Sequence, residues 1–240
     1  MKKETTRDFS GRLLYEMEHG IYAETDRLPP EVELAKQFGI SRTLVRDCLA
    51  VLEREGFINR KHGVGTVINR QVLKVSTRMD LEKEFLQMVE DAGYQAEIAW
   101  SRYKRETAGV DTANKLGIEP DEEVYRTERL ILADGTPVIY CTDFIPVKLI
   151  KRESYDEELL RQPIFLFLEQ ECEQEVSMDV TEVSAVISDE NLSEILDVKQ
   201  GSPLIYMDEV GYDFFGLPVL YSREYYVNGI LHHTVIRKKI

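Results

Sequence analysis

Two arginines one helical turn apart, Arg42 and Arg46, and a thin basic loop, Lys61-His62-Gly63-Val64-Gly65, carry the most directed chemistry in this 240-residue chain. Guanidinium groups present planar forks of donors that match phosphate oxygens and the major-groove edge of guanine. Arg42, Thr43, Arg46 and Ala50 fall on one side of a helix expected from about Arg42 to Glu55. Val45, Leu49 and Leu52 form the opposite, apolar stripe, with Cys48 beside it. Cations near a helix N-terminus oppose the helix dipole, so these arginines serve a partner better than they serve the helix. The two loop glycines let the backbone approach a phosphate chain or a minor groove closely.

These residues need a scaffold, and the surrounding stretch supplies one. Pro29 and Pro30 suit the entry of a helix over Glu31–Phe38. Leu34, Ala35 and Phe38 share its inner face, and Gly39 can adopt the left-handed conformation that closes it. Ser41 is the N-cap of the next helix, and Gly56 ends that helix. Phe57-Ile58-Asn59-Arg60 and Thr66-Val67-Ile68 pair as strands around the basic loop. Helix, turn, helix and hairpin together outline a winged helix-turn-helix, a reader of duplex DNA. A preceding helix from Thr6 to Gly20, with Phe9, Leu13, Leu14 and Met17 on one side, braces it. Ser10 and Arg12 on that helix are expected to face solvent.

The net charge of −14 argues against a general nucleic-acid binder, but it is unevenly spread. Residues 1–75 hold 13 Lys/Arg against 11 Asp/Glu, and the rest holds 17 against 33. A slightly basic head on an acidic body suits specific, reversible DNA binding. Cys48, Cys141 and Cys172 are odd in number and widely spaced, with no ligand pattern, and no disulfide is expected. The opening Met1-Lys2-Lys3-Glu4 leads into no apolar segment and no run reaches membrane-spanning length, so a cytoplasmic protein is expected.

Residues 69–77 read as a polar linker, and a helix is expected from near Asp80 through Ala92. Thereafter hairpins dominate. VYRTERLIL and VIYCTDFIP flank Asp134-Gly135, PLIYMDEVGYD and VLYSREYYV flank FFGLP, and Asn228-Gly229 is expected to turn the chain into a further strand over ILHHTVIRK. IAWSRYKR and VSMDVTEVSAVIS add strands, and helices are expected near 107–116, 157–162, 164–171 and 190–196. The expected class is α+β: a winged helix-turn-helix over residues 1–70, a linker over 71–79, and an antiparallel-sheet domain over 80–240. His232 and His233, alternating on a strand, cannot share a metal. Glu169, Glu171, Glu173 and Glu175 read as a solvated run. No nucleophile triad, P-loop or dinucleotide glycine pattern is present, and no cofactor is expected.

LPPEVELA, ISRTLVRDCL and GVGTVI resemble the DNA-binding domain of GntR-family regulators. That resemblance implies DNA contact by Arg42, Thr43, Arg46 and Gly65, with Lys61 and His62 beside them in the wing. Pro30, Val32 and Val64 depart from the family's Ser, Arg and basic wing-tip residue. The second half is similar to the UTRA effector domain of the HutC subfamily, a fold like chorismate lyase, through ERLILADGTPVIYCTDFIP, LDVKQGSPLIYMDEVGYDFFGLPVLYS and YYVNG. Carried across, its effector positions fall on Arg129, Ile131, Cys141, Pro163, Phe165, Leu220 and Tyr226. One charge survives where a sugar phosphate needs several, so the expected effector is apolar or aromatic, with a single carboxylate met by Arg129. The implied function is a homodimeric, ligand-responsive transcription regulator on palindromic operator DNA, a repressor by family habit. A ligand-independent DNA-binding dimer and a lyase-like enzyme are the alternatives.

Overall fold

The computed structural model describes residues 4–75, 77–81, 83–151 and 157–238. Met1 to Lys3, read above for targeting, lie outside them. By its contacts the chain divides into two units: residues up to Asp80 together with those from Thr234 onward, and Leu81–His233.

In the first unit, α1 (Thr6–Glu18) begins with a reciprocal capping box between Thr5 and Asp8 and buries Phe9, Ser10, Leu13 and Met17. Ser10 is therefore core rather than solvent-facing. After α1 comes β1 (Arg27–Leu28), then α2 (Glu31–Phe38), ended by Gly39 at φ +68°. Ser41 caps α3 (Arg42–Arg54) by accepting from the Leu44 amide at 3.2 Å. Val45, Cys48, Leu49 and Leu52 are the buried stripe of α3. The wing consists of β2 (Ile58–Lys61) and β3 (Gly65–Ile68) in register Ile58↔Ile68 to Lys61↔Gly65, with β1 as an unexpected third strand on β3. The expected linker opens with a short helix, α4 (Arg70–Leu73), whose Arg70 donates to the Met17 carbonyl at 2.6 Å and to those of Tyr22 and Thr25.

The stretch after Asn228-Gly229 is not a strand. Thr234 makes only an isolated parallel bridge to Arg78, with Met79 N–H donating to the Thr234 carbonyl at 2.8 Å and Thr234 N–H to that of Thr77 at 3.0 Å. The chain then reaches Lys238, whose ammonium donates to the carbonyls of Glu53 (2.5 Å) and Arg54 (2.9 Å) at the end of α3. That places a cation on the negative end of the helix.

The second unit is a six-stranded antiparallel sheet in the order β4-β5-β6-β9-β8-β7: β4 (Ala96–Thr107), β5 (Glu123–Ala133), β6 (Thr136–Pro146), β7 (Met178–Ile187), β8 (Pro203–Tyr212) and β9 (Pro218–Val227). Alternation along each strand sends side chains to two apolar faces. One face carries Tyr125, Ile131, Ile139, Cys141, Met207 and Tyr226 under α5 (Phe85–Asp91) and α7 (Ile164–Glu171). The other carries Leu130, Tyr140, Phe144, Val210 and Tyr221 under α6 (Gly109–Leu116) and α8 (Glu190–Leu196). The α5 helix starts at Phe85, later than the sequence suggests, and Asp80, the expected cap, instead pairs with Arg78 at 2.5 Å. Glu171, expected to be solvated, is buried at the foot of α7.

Candidate functional site

The residues expected to contact DNA lie on the exposed side of the first unit. Arg42, Thr43 and Arg46 are exposed along the first turns of α3. The Arg46 Nε lies 3.6 Å from the Glu31 carboxylate at the start of α2, which orients the arginine without burying it. Lys61, His62 and Gly65 are exposed at the wing tip. Gly63 and Gly65 take φ of +77° and +96°, where a β-carbon would be strained, so the tight tip depends on glycine. Two residues escaped the sequence reading. Arg27 donates to the Val64 carbonyl at 3.0 Å and steadies the wing tip. Arg60 faces inward, its Nε 2.8 Å from the Glu53 carboxylate while its backbone amide meets the other oxygen at 2.9 Å. Burial alone would raise the Glu53 carboxyl, but the Arg60 bonds outweigh it and hold it below its ordinary value. The wing is thereby tied to the C-terminal turn of α3.

In the second unit a narrow cleft of about 20 Å³ lies on the sheet face under α5 and α7. Arg129, Phe165 and Leu220 of the expected effector set line it. Ile131, Cys141 and Tyr226 do not line it: they pack together in the core beside it. Tyr226 still reaches the site, because its hydroxyl donates at 2.5 Å to Glu224, which lines the cavity. Burial pushes the Cys141 thiol up, so it is an inert filler.

The free guanidinium expected at Arg129 is replaced by a buried ion pair. Arg129 donates to the Asp143 carboxylate and, at 2.8 Å, to the Gln162 carbonyl. Asp143 also accepts from Thr127 (3.1 Å) and Ser222 (2.7 Å), so its oxygens are well satisfied. Burial alone would lower the Arg129 pKa, but the Asp143 charge raises it above its ordinary value. Around this pair stand Glu84, Glu209, Ser222 and Glu224. Burial raises the Glu84 carboxyl. Burial pushes Glu209 up to about 7, against a bond from the Thr181 hydroxyl and with help from the charges of Asp179 and Asp143. Burial likewise pushes Asp179 up to about 6. The only signal the sequence holds for the missed residues is their spacing from the expected ones. Asp143 lies two positions from Cys141, and Ser222 and Glu224 lie two and four from Leu220, on the same side of their strands.

Comparison with known proteins agrees with both units. Residues 8–68 match the family described as bacterial regulatory proteins, gntR family, and residues 91–229 match the UTRA domain. An HTH-type transcriptional regulator of Rhizobium meliloti (strain 1021) is 26% identical over 220 residues, covering 90% of this chain and 88% of its own. The HTH-type transcriptional regulator GmuR of Bacillus subtilis (strain 168) is 24% identical over 209 residues, 86% of each. The crystal structure of YydK from Bacillus subtilis shares the fold at a TM-score of 0.78 and 18% identity, over 98% of this chain and 100% of that one. These relatives are regulators, not enzymes. A helix-turn-helix head with an exposed arginine face, followed by a UTRA domain, places the chain in the GntR family as a transcriptional regulator with a UTRA effector domain.

Proposed function

We propose that the protein is a cytoplasmic homodimeric repressor that leaves a two-fold operator when a small molecule rich in hydrogen-bond donors, an amine or a polyol, enters the cavity beside Arg129. Arg42, Thr43 and Arg46 read base edges and phosphates, and Lys61, His62 and Gly65 approach the flanking backbone. The balance of charge in the cavity carries the effector reading: Glu84, Asp143, Glu209 and Glu224 line it, while its two cations are already engaged, Arg129 by Asp143 and Lys83 by Asp91. An aromatic carboxylate or a phosphate would meet like charge there, whereas ammonium or hydroxyl donors complement it. The cleft must widen to admit such a ligand, and that widening is the change the effector would impose on DNA binding.

The test is fluorescence anisotropy of the full-length protein on DNA from its own upstream region, with amino sugars, polyamines, polyols, sugar phosphates and aromatic acids added in turn. An amine or polyol should release the DNA at least ~10-fold, the scale of ordinary allosteric coupling, and Ser222→Ala should blunt the response. Release by an aromatic acid or a sugar phosphate alone would refute the effector class. Indifference to every ligand would favour the ligand-independent dimer. Sedimentation of the free protein as a monomer at micromolar concentration would refute the dimer.

A further inference from the structure

The opposite face of the same sheet holds a second cavity, of about 440 Å³, inside the ~300–1,000 Å³ range of small-molecule sites. It lies between the starts of α6 and α8, over a floor that includes Tyr140, Phe144 and Tyr225. Arg126 and Arg223 line it together with the carboxylates Glu106, Asp111 and Asp189, of which Glu106 is engaged by Lys104 at 2.5 Å. Glu128 alone receives both Arg102 (2.7 Å) and Arg126 (2.8 Å), and the Tyr140 hydroxyl besides. Arg223 has no carboxylate within ion-pair distance among the described residues. Its Nε donates to the Tyr221 hydroxyl at 2.8 Å, and the guanidinium lies 5.4 Å from the Phe144 ring centroid and 5.2 Å from that of Tyr221. The nearby Asp208 is engaged by Lys115. A half-buried guanidinium oriented by aromatic rings, with its outer nitrogens left for the cleft, is a ready receptor for an oxyanion. The cleft is also lined by Asp111 and Asp189, which hold no ion pair among the described residues. Asp189 caps α8 through one oxygen, accepting from the Leu192 amide at 2.8 Å.

We propose that this cleft binds a small zwitterion, its oxyanion on Arg126 and Arg223 and its ammonium group toward Asp111 and Asp189. The site is separate from the effector cavity and does not depend on how that cavity is read. Trp100, the single tryptophan of the chain, packs 6.1 Å from the floor residue Tyr140 and so reports on this face.

Full-length protein is titrated with phosphoethanolamine and with 4-aminobutyrate while Trp100 fluorescence is followed; ethanolamine and inorganic phosphate serve as half-ligands. At least one zwitterion should saturate, more tightly than either half-ligand. Phosphoethanolamine alone would identify a phosphate group, and 4-aminobutyrate alone a carboxylate. Arg223→Gln and Arg126→Gln should each weaken binding ~10-fold, as loss of a charge-assisted hydrogen bond does. Asp189→Asn, which keeps a capping side chain, should weaken the zwitterion and spare inorganic phosphate. The proposal fails if neither zwitterion binds the wild type at millimolar concentration. It fails equally if binding survives both arginine substitutions in variants whose circular dichroism is native, or if the zwitterions bind no better than their halves.

Discussion

Glu209→Gln isolates the strain stored in the acidic cavity. In the folded protein the Glu209 carboxyl titrates at about 7 instead of 4.5, and burial is the main cause. A carboxyl raised on folding binds its proton more tightly in the native state. Its stabilising contribution is therefore full below the unfolded value and is lost as pH rises through the folded one. At ~1.4 kcal/mol per pH unit, that rise sets an upper limit of ~3 kcal/mol on the loss between pH 4.5 and pH 8. The charges of Asp179 and Asp143 supply part of the rise, and a loss of about 1–2 kcal/mol is expected. Gln keeps the shape and can still bond the Thr181 hydroxyl, but carries no charge. The assay is urea unfolding from pH 5 to pH 8 followed through Trp100, which lies in the sensor sheet. Wild type should lose stability across that range, and Glu209→Gln should be flatter and more stable at pH 8. Parallel pH profiles for the two proteins would refute the reasoning.

Three further outcomes are expected. Arg46→Ala should weaken operator binding by ~1–3 kcal/mol and lower the salt dependence by about one charge, measured by anisotropy at several salt concentrations. Asp143→Asn leaves the buried Arg129 charge unmatched and should destabilise the sensor unit by ~3–5 kcal/mol in urea, far more than an exposed pair would cost. Lys238→Met removes the cation from the end of α3 and should destabilise the head by ~1 kcal/mol or less, because the site is exposed, read from thermal unfolding by far-ultraviolet circular dichroism.

The head was legible because its signals are local. Ser41, Gly39 and Gly65 each dictate a backbone conformation within a few residues, and the stripe of α3 follows directly from its period. The hairpins of the sheet were legible for the same reason. The cavity was not, because its chemistry depends on which strands become neighbours. Nothing local marks Asp143 as the partner of Arg129, although the two are only 14 positions apart. Glu209 enters through β8, which pairs with β9 across the middle of the sheet. The tail after Gly229 misled for a related reason. Its alternating pattern suits a strand, yet the tail pairs with no strand of either sheet and makes only an isolated bridge from Thr234 to Arg78.

That tail has a consequence for how the protein is made. Residues from Thr234 onward belong to the head, so the sensor is an insertion within it. During synthesis α1 to β3 leave the ribosome early, but the residue that crowns α3 emerges only after the whole sheet has been translated. A truncated nascent chain therefore carries a DNA-reading head without its final fastening, and completion of the sensor precedes completion of the head. The same order warns against dissection: a head cut after Asp80 lacks a part of itself, and a sensor is better excised at both crossings than at one.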